Sequence, residues 1–467
     1  MASTSTSPLE VPEILRMISR FVSMKDACVC AQVCKAWTNA FVSAIWHTID
    51  FTDHTLYELD AKILAKYGGH IRVVREMGED TEVLVILLSK ASKLRELEID
   101  MGRKQSLAHV YDVIRRNNTT LENIDITFAD KNSVFVVDAL FPVSGTGATS
   151  RLTSFCFQRL TITREAFSSI LKHCPSLTKL HLDDVILPSL PVGDDSGADC
   201  YQHRGVTELT APVEQVFRVV SESEKVTSLL VHFPNLITWK FSGYSEVSIK
   251  EIRNEVTRCC PLLKSVWATT PPPLTVKLLA AFKGLTTIVV LNEQLSAEMV
   301  KAILNHQDTL LAACTLTDPR FDDYDVVPEV ENDQVEASEW IIQAIPRRCG
   351  QLEALELPYY EMDVDDIEGE EWICHGLEVL YIRIHGLNTK EKIDRAIQLW
   401  IEGRIAIKKT QMDDKDDESL LSDSQLYAVI PKCANSIEAR VARHLLKFRH
   451  LQRVWFGWRI RDLKYND

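Results

Sequence analysis

No apolar run in this chain approaches the ~20 residues that a membrane-spanning helix needs; the longest, Val83 to Leu88, falls far short. Met1 to Ser7 has neither the basic start nor the apolar centre of a secretory signal. The two absences predict an intracellular protein, cytoplasmic or nuclear or both, with no membrane partner. Positive charge is also scarce: 52 Lys and Arg face 66 Asp and Glu, a net charge of -14, which argues against general nucleic-acid binding. Twelve cysteines are present but without paired spacing, which excludes a disulfide framework and the usual zinc motifs. Cys28, Cys30 and Cys34 read as small buried thiols.

Active-site signatures are missing as well. There is no P-loop, zincin or kinase motif. Gly145-Thr-Gly147 comes nearest, but Leu152 to Phe157 follows it with a strand pattern where a phosphate cradle needs a helix start. His173, Cys174, Asp183 and Asp184 can be drawn as a nucleophile constellation; adjacent residues point apart, so Cys174 reads as structural. No catalytic residue, cofactor or metal is expected.

What the chain does have is length and a strong pattern. Its 467 residues are 46% hydrophobic, enough for a large core. From Pro8 to Phe51 three helical patterns follow one another. Ile14, Leu15, Ile18 and Phe21 share one helical face after Pro12, a residue suited to a helix start. Ala27, Ala31, Val33 and Cys34 mark a second helix after Ser23, and Trp37, Ala40, Phe41 and Ala44 a third. Three short helices cannot bury all this apolar surface among themselves, so some of it is expected to meet a partner or the next domain.

Pro12-Glu13-Ile14-Leu15, Val33-Cys34-Lys35-Ala36-Trp37 and Ile45-Trp46 resemble the F-box. The resemblance implies docking to the Skp adaptor of an SCF ubiquitin ligase, and through it to cullin. It carries the adaptor contact to Leu9, Pro12, Ile14, Leu15, Ile18, Val33, Cys34 and Trp37.

Beyond Phe51 a loose repeat takes over, with Leu leading and apolar residues three and five positions later. It runs through Leu94, Leu97, Ile99; Leu121, Ile124, Ile126; Leu152, Phe155, Phe157; Leu177, Leu180, Leu182; Leu236, Trp239, Phe241; Leu263, Val266, Ala268; Leu285, Ile288, Val290; Leu352, Leu355, Leu357; Leu377, Leu380, Ile382; and Leu451, Val454, Phe456. Neighbouring leads lie 22 to 27 residues apart where the run is tightest, within the leucine-rich range. Helical patterns such as Arg164 to His173 lie between strands, and Ser248 to Glu251 reads as a capping box. Proline in His173-Cys-Pro, His232-Phe-Pro and Cys259-Cys-Pro ends each helix. The stretches 188–205, 318–339, 361–371 and 411–423 are polar or acidic and read as loops.

The pattern resembles the leucine-rich repeats that follow many F-boxes. The expected fold is therefore α/β: a disordered start at 1–7, a small helical F-box at 8–51, and a leucine-rich-repeat solenoid, or horseshoe, with irregular inserts at 52–467. The alternative is an ordinary doubly wound α/β domain. Strand side chains alternate, which nominates Glu96, Glu98, Lys179, His181, Lys240, Tyr381, Arg383, Arg453 and Trp455 as contacts to an unknown target protein on the concave face. Arg443 to Lys464 mixes basic and aromatic residues, as in single-strand binders, but fits a final repeat better. The expected function is a non-catalytic substrate receptor of an SCF-type ligase. A scaffold acting outside the ligase and an α/β enzyme with an unseen site remain as rivals.

Overall fold

A computed structural model describes residues 11–51, 61–77, 90–101, 107–128, 137–140, 150–187, 201–220, 225–245, 247–269, 272–291, 295–316, 342–369, 371–411, 426, 428–430 and 435–456. They belong to two compact units that divide between Leu236 and Ile237. The fold is mixed α/β, with a small helical segment at its N-terminal end.

That segment has three helices, α1 (Pro12–Ile18), α2 (Met24–Cys30) and α3 (Lys35–Ile45). Pro12 occupies the first turn of α1, where no amide is needed. Ser23 caps α2 by accepting the Asp26 amide at 3.2 Å. Thr38 Oγ1 ties α3 back to the preceding turn by donating to Ala31 O at 2.6 Å. Leu15, Ala27, Ala40 and Phe41 close a core that Ile18, Trp37 and Ile45 partly cover. The helix expected over Pro12 to Phe21 stops at Ile18, and its apolar face splits: Leu15 turns inward while Ile14 and Phe21 stand exposed.

Unit 1 continues into seven strands that pair in parallel in chain order: β1 (Thr48–Asp50), β2 (Val73–Met77), β3 (Glu96–Met101), β4 (Asn123–Phe128), β5 (Ser154–Gln158), β6 (Lys179–Asp183) and β7 (Glu208–Thr210). An antiparallel hairpin, β8 (Phe217–Val220) and β9 (Lys225–Ser228), comes next. The helices here include α4 (Ala61–Tyr67), α5 (Leu107–Asn117) and α6 (Arg164–His173). In unit 2 seven more strands run parallel in chain order: β10 (Thr238–Phe241), β11 (Ser265–Ala268), β12 (Thr287–Leu291), β13 (Ala312–Leu316), β14 (Ala354–Met362), β15 (Val379–Ile384) and β16 (Arg453–Phe456). Its helices include α7 (Ile249–Cys259), α8 (Pro272–Ala281), α9 (Ala297–Leu304), α10 (Ala344–Arg348), α11 (Val364–Gly369), α12 (Lys390–Gln411) and α13 (Ile437–Leu446).

One hydrogen-bond device recurs in both units. The residue just after each lead apolar position offers a single carbonyl to two successive amides of the next repeat. Arg95 O accepts from Glu122 and Asn123 at 2.8 and 2.9 Å, and Thr286 O from Leu311 and Ala312 at 2.8 and 3.0 Å. Every apolar position named in the repeat pattern is buried.

The sequence pattern missed four strands of this kind. Ile71 and Val74 lead and fill β2, Val206 and Leu209 do so for β7, and Leu310 and Ala313 for β13. In each, a β-branched or small residue replaces a leucine, which is why the gap from Leu177 to Leu236 looked long. The fourth is β1, which begins at Thr48, inside the stretch read as purely helical. The loop expected at 361–371 is instead the end of β14 followed by α11. The acidic stretch 318–339 and most of 188–205 and 411–423 lie outside the described residues.

Three buried polar side chains carry the turns between helix and strand. Asn117 Oδ1 accepts the Leu94 amide at 2.9 Å, and its Nδ2 donates to Ala91 O and Val113 O. His306 Nδ1 accepts the Leu285 amide at 3.3 Å and Nε2 donates to Leu279 O. His203 does the same for Val206 and Cys174. Of these three, one is asparagine and two are histidine.

Candidate functional site

The helical segment at 11–51 keeps little of its apolar surface for itself. Leu15 is fully enclosed, at 0% exposure. Ile14 and Met17 on α1, Phe21 in the turn after it and Met24 at the start of α2 stand exposed, Phe21 at 86%. Val29 and Val33 stand out from α2 and the turn beyond it, Val33 at 63%. Of the thirteen large hydrophobic side chains exposed among the described residues, six fall between Ile14 and Val33, while the other seven are spread over the rest. A concentration like this on so small a segment marks a surface made to be covered.

The segment is also anchored to the sheet. His47 O accepts the Arg72 and Val73 amides at 2.9 and 3.0 Å, the Phe51 amide donates to Arg75 O at 3.0 Å, and the Trp46 and Tyr67 rings stack at 4.9 Å. Its last residues are therefore the first strand of that sheet. A cleft of about 650 Å³ lies between α3 and α4.

Residues 12–52 match the F-box-like family. The chain thus carries an F-box-like domain, and the match runs through β1. No curated protein matches the chain.

Of the residues assigned to adaptor contact, Pro12, Ile14, Val33 and Cys34 are exposed on the F-box-like domain, and Ile18 and Trp37 are half-buried. Trp37 stacks on Phe41 with ring centroids 5.5 Å apart. Leu15 must be reassigned: sealed in the domain's own core, it shapes the surface from beneath and touches no partner. Leu9 lies outside the described residues. Met17, Met24 and Val29 were not picked out as surface residues. Met17 lies three residues after Ile14, the spacing of one helical face; Met24 and Val29, across the helix break, carried no such signal.

The strand residues assigned to target contact stand where alternation put them, between buried neighbours. In unit 1, Glu96, Glu98 and His181 are half-buried and Lys179 is exposed. Arg75 pairs with Glu96 at 3.5 Å and Lys179 with Glu208 at 3.4 Å. In unit 2, Lys240 lies over the Trp267 ring at 4.5 Å, Tyr381 and Arg383 are half-buried, and Arg453 is exposed. Trp455 is the exception: at 8% exposure it is buried, with the Tyr381 ring 5.9 Å away. Its bulk is packed sideways against its neighbours and offers little surface to a target.

Glu356 joins this face between Cys314 and Tyr381 in the strand register. Burial pushes its carboxyl up, and the Cys314 thiol and Arg453 pull it partly back. No sequence signal distinguished it from an ordinary surface acid, although Leu355 and Leu357 on either side placed it on the open face. Cys174 is buried and burial pushes its thiol up to about 11, the opposite of what a nucleophile needs. No helix among the described residues is long and apolar enough to cross a membrane.

Proposed function

We propose that the chain is the substrate-recognition subunit of an SCF-type ubiquitin ligase. In this reading the F-box-like domain docks to the Skp adaptor, and through it to cullin, while the strand-and-helix repeats hold a target protein. The observation that carries it is the cluster of exposed apolar side chains on a domain whose own core is already closed, in the segment that matches the F-box-like family. Pro12, Ile14, Met17, Phe21, Val33 and Cys34 form the docking surface, with Ile18 and Trp37 at its edge. Burying side chains of this size contributes roughly 1.5–3 kcal/mol each, which works against the cost of association.

The repeats are read as degenerate leucine-rich repeats. Support comes from parallel strands in chain order, apolar leads and buried Asn117 and His306 in equivalent turns. In unit 1 the target contacts Glu96, Glu98, Lys179 and His181, and in unit 2 Lys240, Tyr381, Arg383 and Arg453. The reading assigns no catalytic residue to the chain: its contribution to rate is to raise the effective concentration of a target lysine beside a loaded conjugating enzyme. It works inside the cell.

Affinity capture of the wild-type chain beside Met17→Asp/Phe21→Asp tests this. Both side chains are exposed, so the variant folds, keeps its targets and loses adaptor and cullin. Adaptor recovered without cullin from the wild type favours a scaffold outside the ligase, and failure to recover adaptor at all sinks the proposal.

A further inference from the structure

The cleft between α3 and α4 is lined by basic residues without acidic ones. Lys35, Lys66 and His70 are three of its nine residues and none is Asp or Glu, in a chain whose net charge is -14. Neither lysine forms an ion pair among the described residues, and Lys66 leans over the Tyr67 ring at 4.8 Å. The remaining lining includes Gln32 and Asn39, whose side-chain amides can donate to an oxygen. Cys34, the N-cap of α3, makes no side-chain hydrogen bond to the helix, so the first turn of α3 adds its partial positive charge at the same place. Cys34 both lines the cleft and adjoins Val33 of the exposed patch, which makes cleft and patch continuous.

We propose that the cleft receives a carboxylate-bearing segment of the protein that covers the F-box-like patch, the Skp adaptor in the reading above, on which this inference rests. The apolar patch supplies contact area and the cleft supplies charge selection: an acidic segment finds two ammonium groups, an imidazole and amide donors, while a basic one is repelled. Charge placed at the rim of an apolar patch acts mainly on encounter and register, and fades as salt rises.

The test is binding of purified Skp adaptor to the full chain across a salt series. Lys35→Glu/Lys66→Glu lowers affinity at least ~10-fold at low salt, with the gap closing as salt rises. Lys35→Arg/Lys66→Arg keeps wild-type affinity, and so does a control reversal at Lys172, exposed on α6. Both cleft lysines are exposed, so the melting temperature stays at its wild-type value. Unchanged affinity in the reversal variant at every salt concentration, with Phe21→Asp still abolishing binding, overturns the cleft and leaves adaptor docking standing. A deficit that persists undiminished at high salt also overturns it, because charge is then not the cause. If the wild-type chain does not bind the adaptor, both proposals fall.

Discussion

His444 is buried on α13 and neither ring nitrogen has a hydrogen-bond partner among the described residues. It packs edge-on to Trp372 at 4.8 Å and to Phe448 at 5.3 Å. Burial, with Lys447 nearby, pushes its pKa down to about 3. The unfolded chain takes up a proton on this residue as pH falls through 6.5, while the folded chain refuses it until about 3, so stability is lost progressively on acidification across that window. The loss approaches ~1.4 kcal/mol per pH unit for a single site. His444→Phe keeps the aromatic packing and removes the titration, so its urea midpoint between pH 6.5 and about 4 falls less than that of the wild type. Glu356 has the opposite sign. Its raised carboxyl holds a proton that the unfolded chain has released, so it costs stability as pH rises above the ordinary carboxylate range. Neither residue was distinguishable in the sequence, because a period of two or of 3.6 says which way a side chain faces and not what surrounds it.

Among elements, those with local chemistry were the legible ones. The capping box of α7 needs only its own four residues: Ser248 Oγ accepts the Glu251 amide at 3.3 Å, and Glu251 accepts the Ser248 amide at 3.2 Å. Ser248→Ala costs about 1 kcal/mol, seen as a lower denaturation midpoint. The strands with leucine leads were legible for the same reason. Strands β2, β7 and β13 were not, because each has a β-branched or small residue at one of the two positions, Ile71 and Val74 in β2, Val206 in β7 and Ala313 in β13, and only pairing with neighbours makes them strands. Asn117 belongs to this second class. Its three hydrogen bonds join residues up to 26 positions away, so Asn117→Ala leaves a buried amide and carbonyls unpaired. The expected cost is ~2–3 kcal/mol or more, measured by denaturant unfolding, well beyond that of the exposed Ser248 cap.

At the scale of the whole molecule, the F-box-like domain is the beginning of the first sheet rather than a module on a tether. Trp46, stacked on Tyr67, and the His47 carbonyl hold α3 to β1 and β2. Trp46→Ala is expected to loosen that joint, so that limited proteolysis cuts nearer Trp46 and faster than in the wild type. Leu15→Asp and Phe21→Asp part company in the same way: the first buries a charge in a closed core and unfolds the domain, while the second changes adaptor binding with the melting temperature unmoved.

Sequence alone determined which repeat positions go inside, because apolar spacing of three and two is a property of the chain itself, and it marked residues 8–51 as resembling an F-box. Only tertiary structure decided that Leu15 is sealed while Phe21 is open, that β1 belongs to the sheet, and that Lys35, Lys66 and His70 meet in one cleft. Those outcomes depend on which neighbour takes up each face, and residues far apart along the chain carry no periodic signal of meeting.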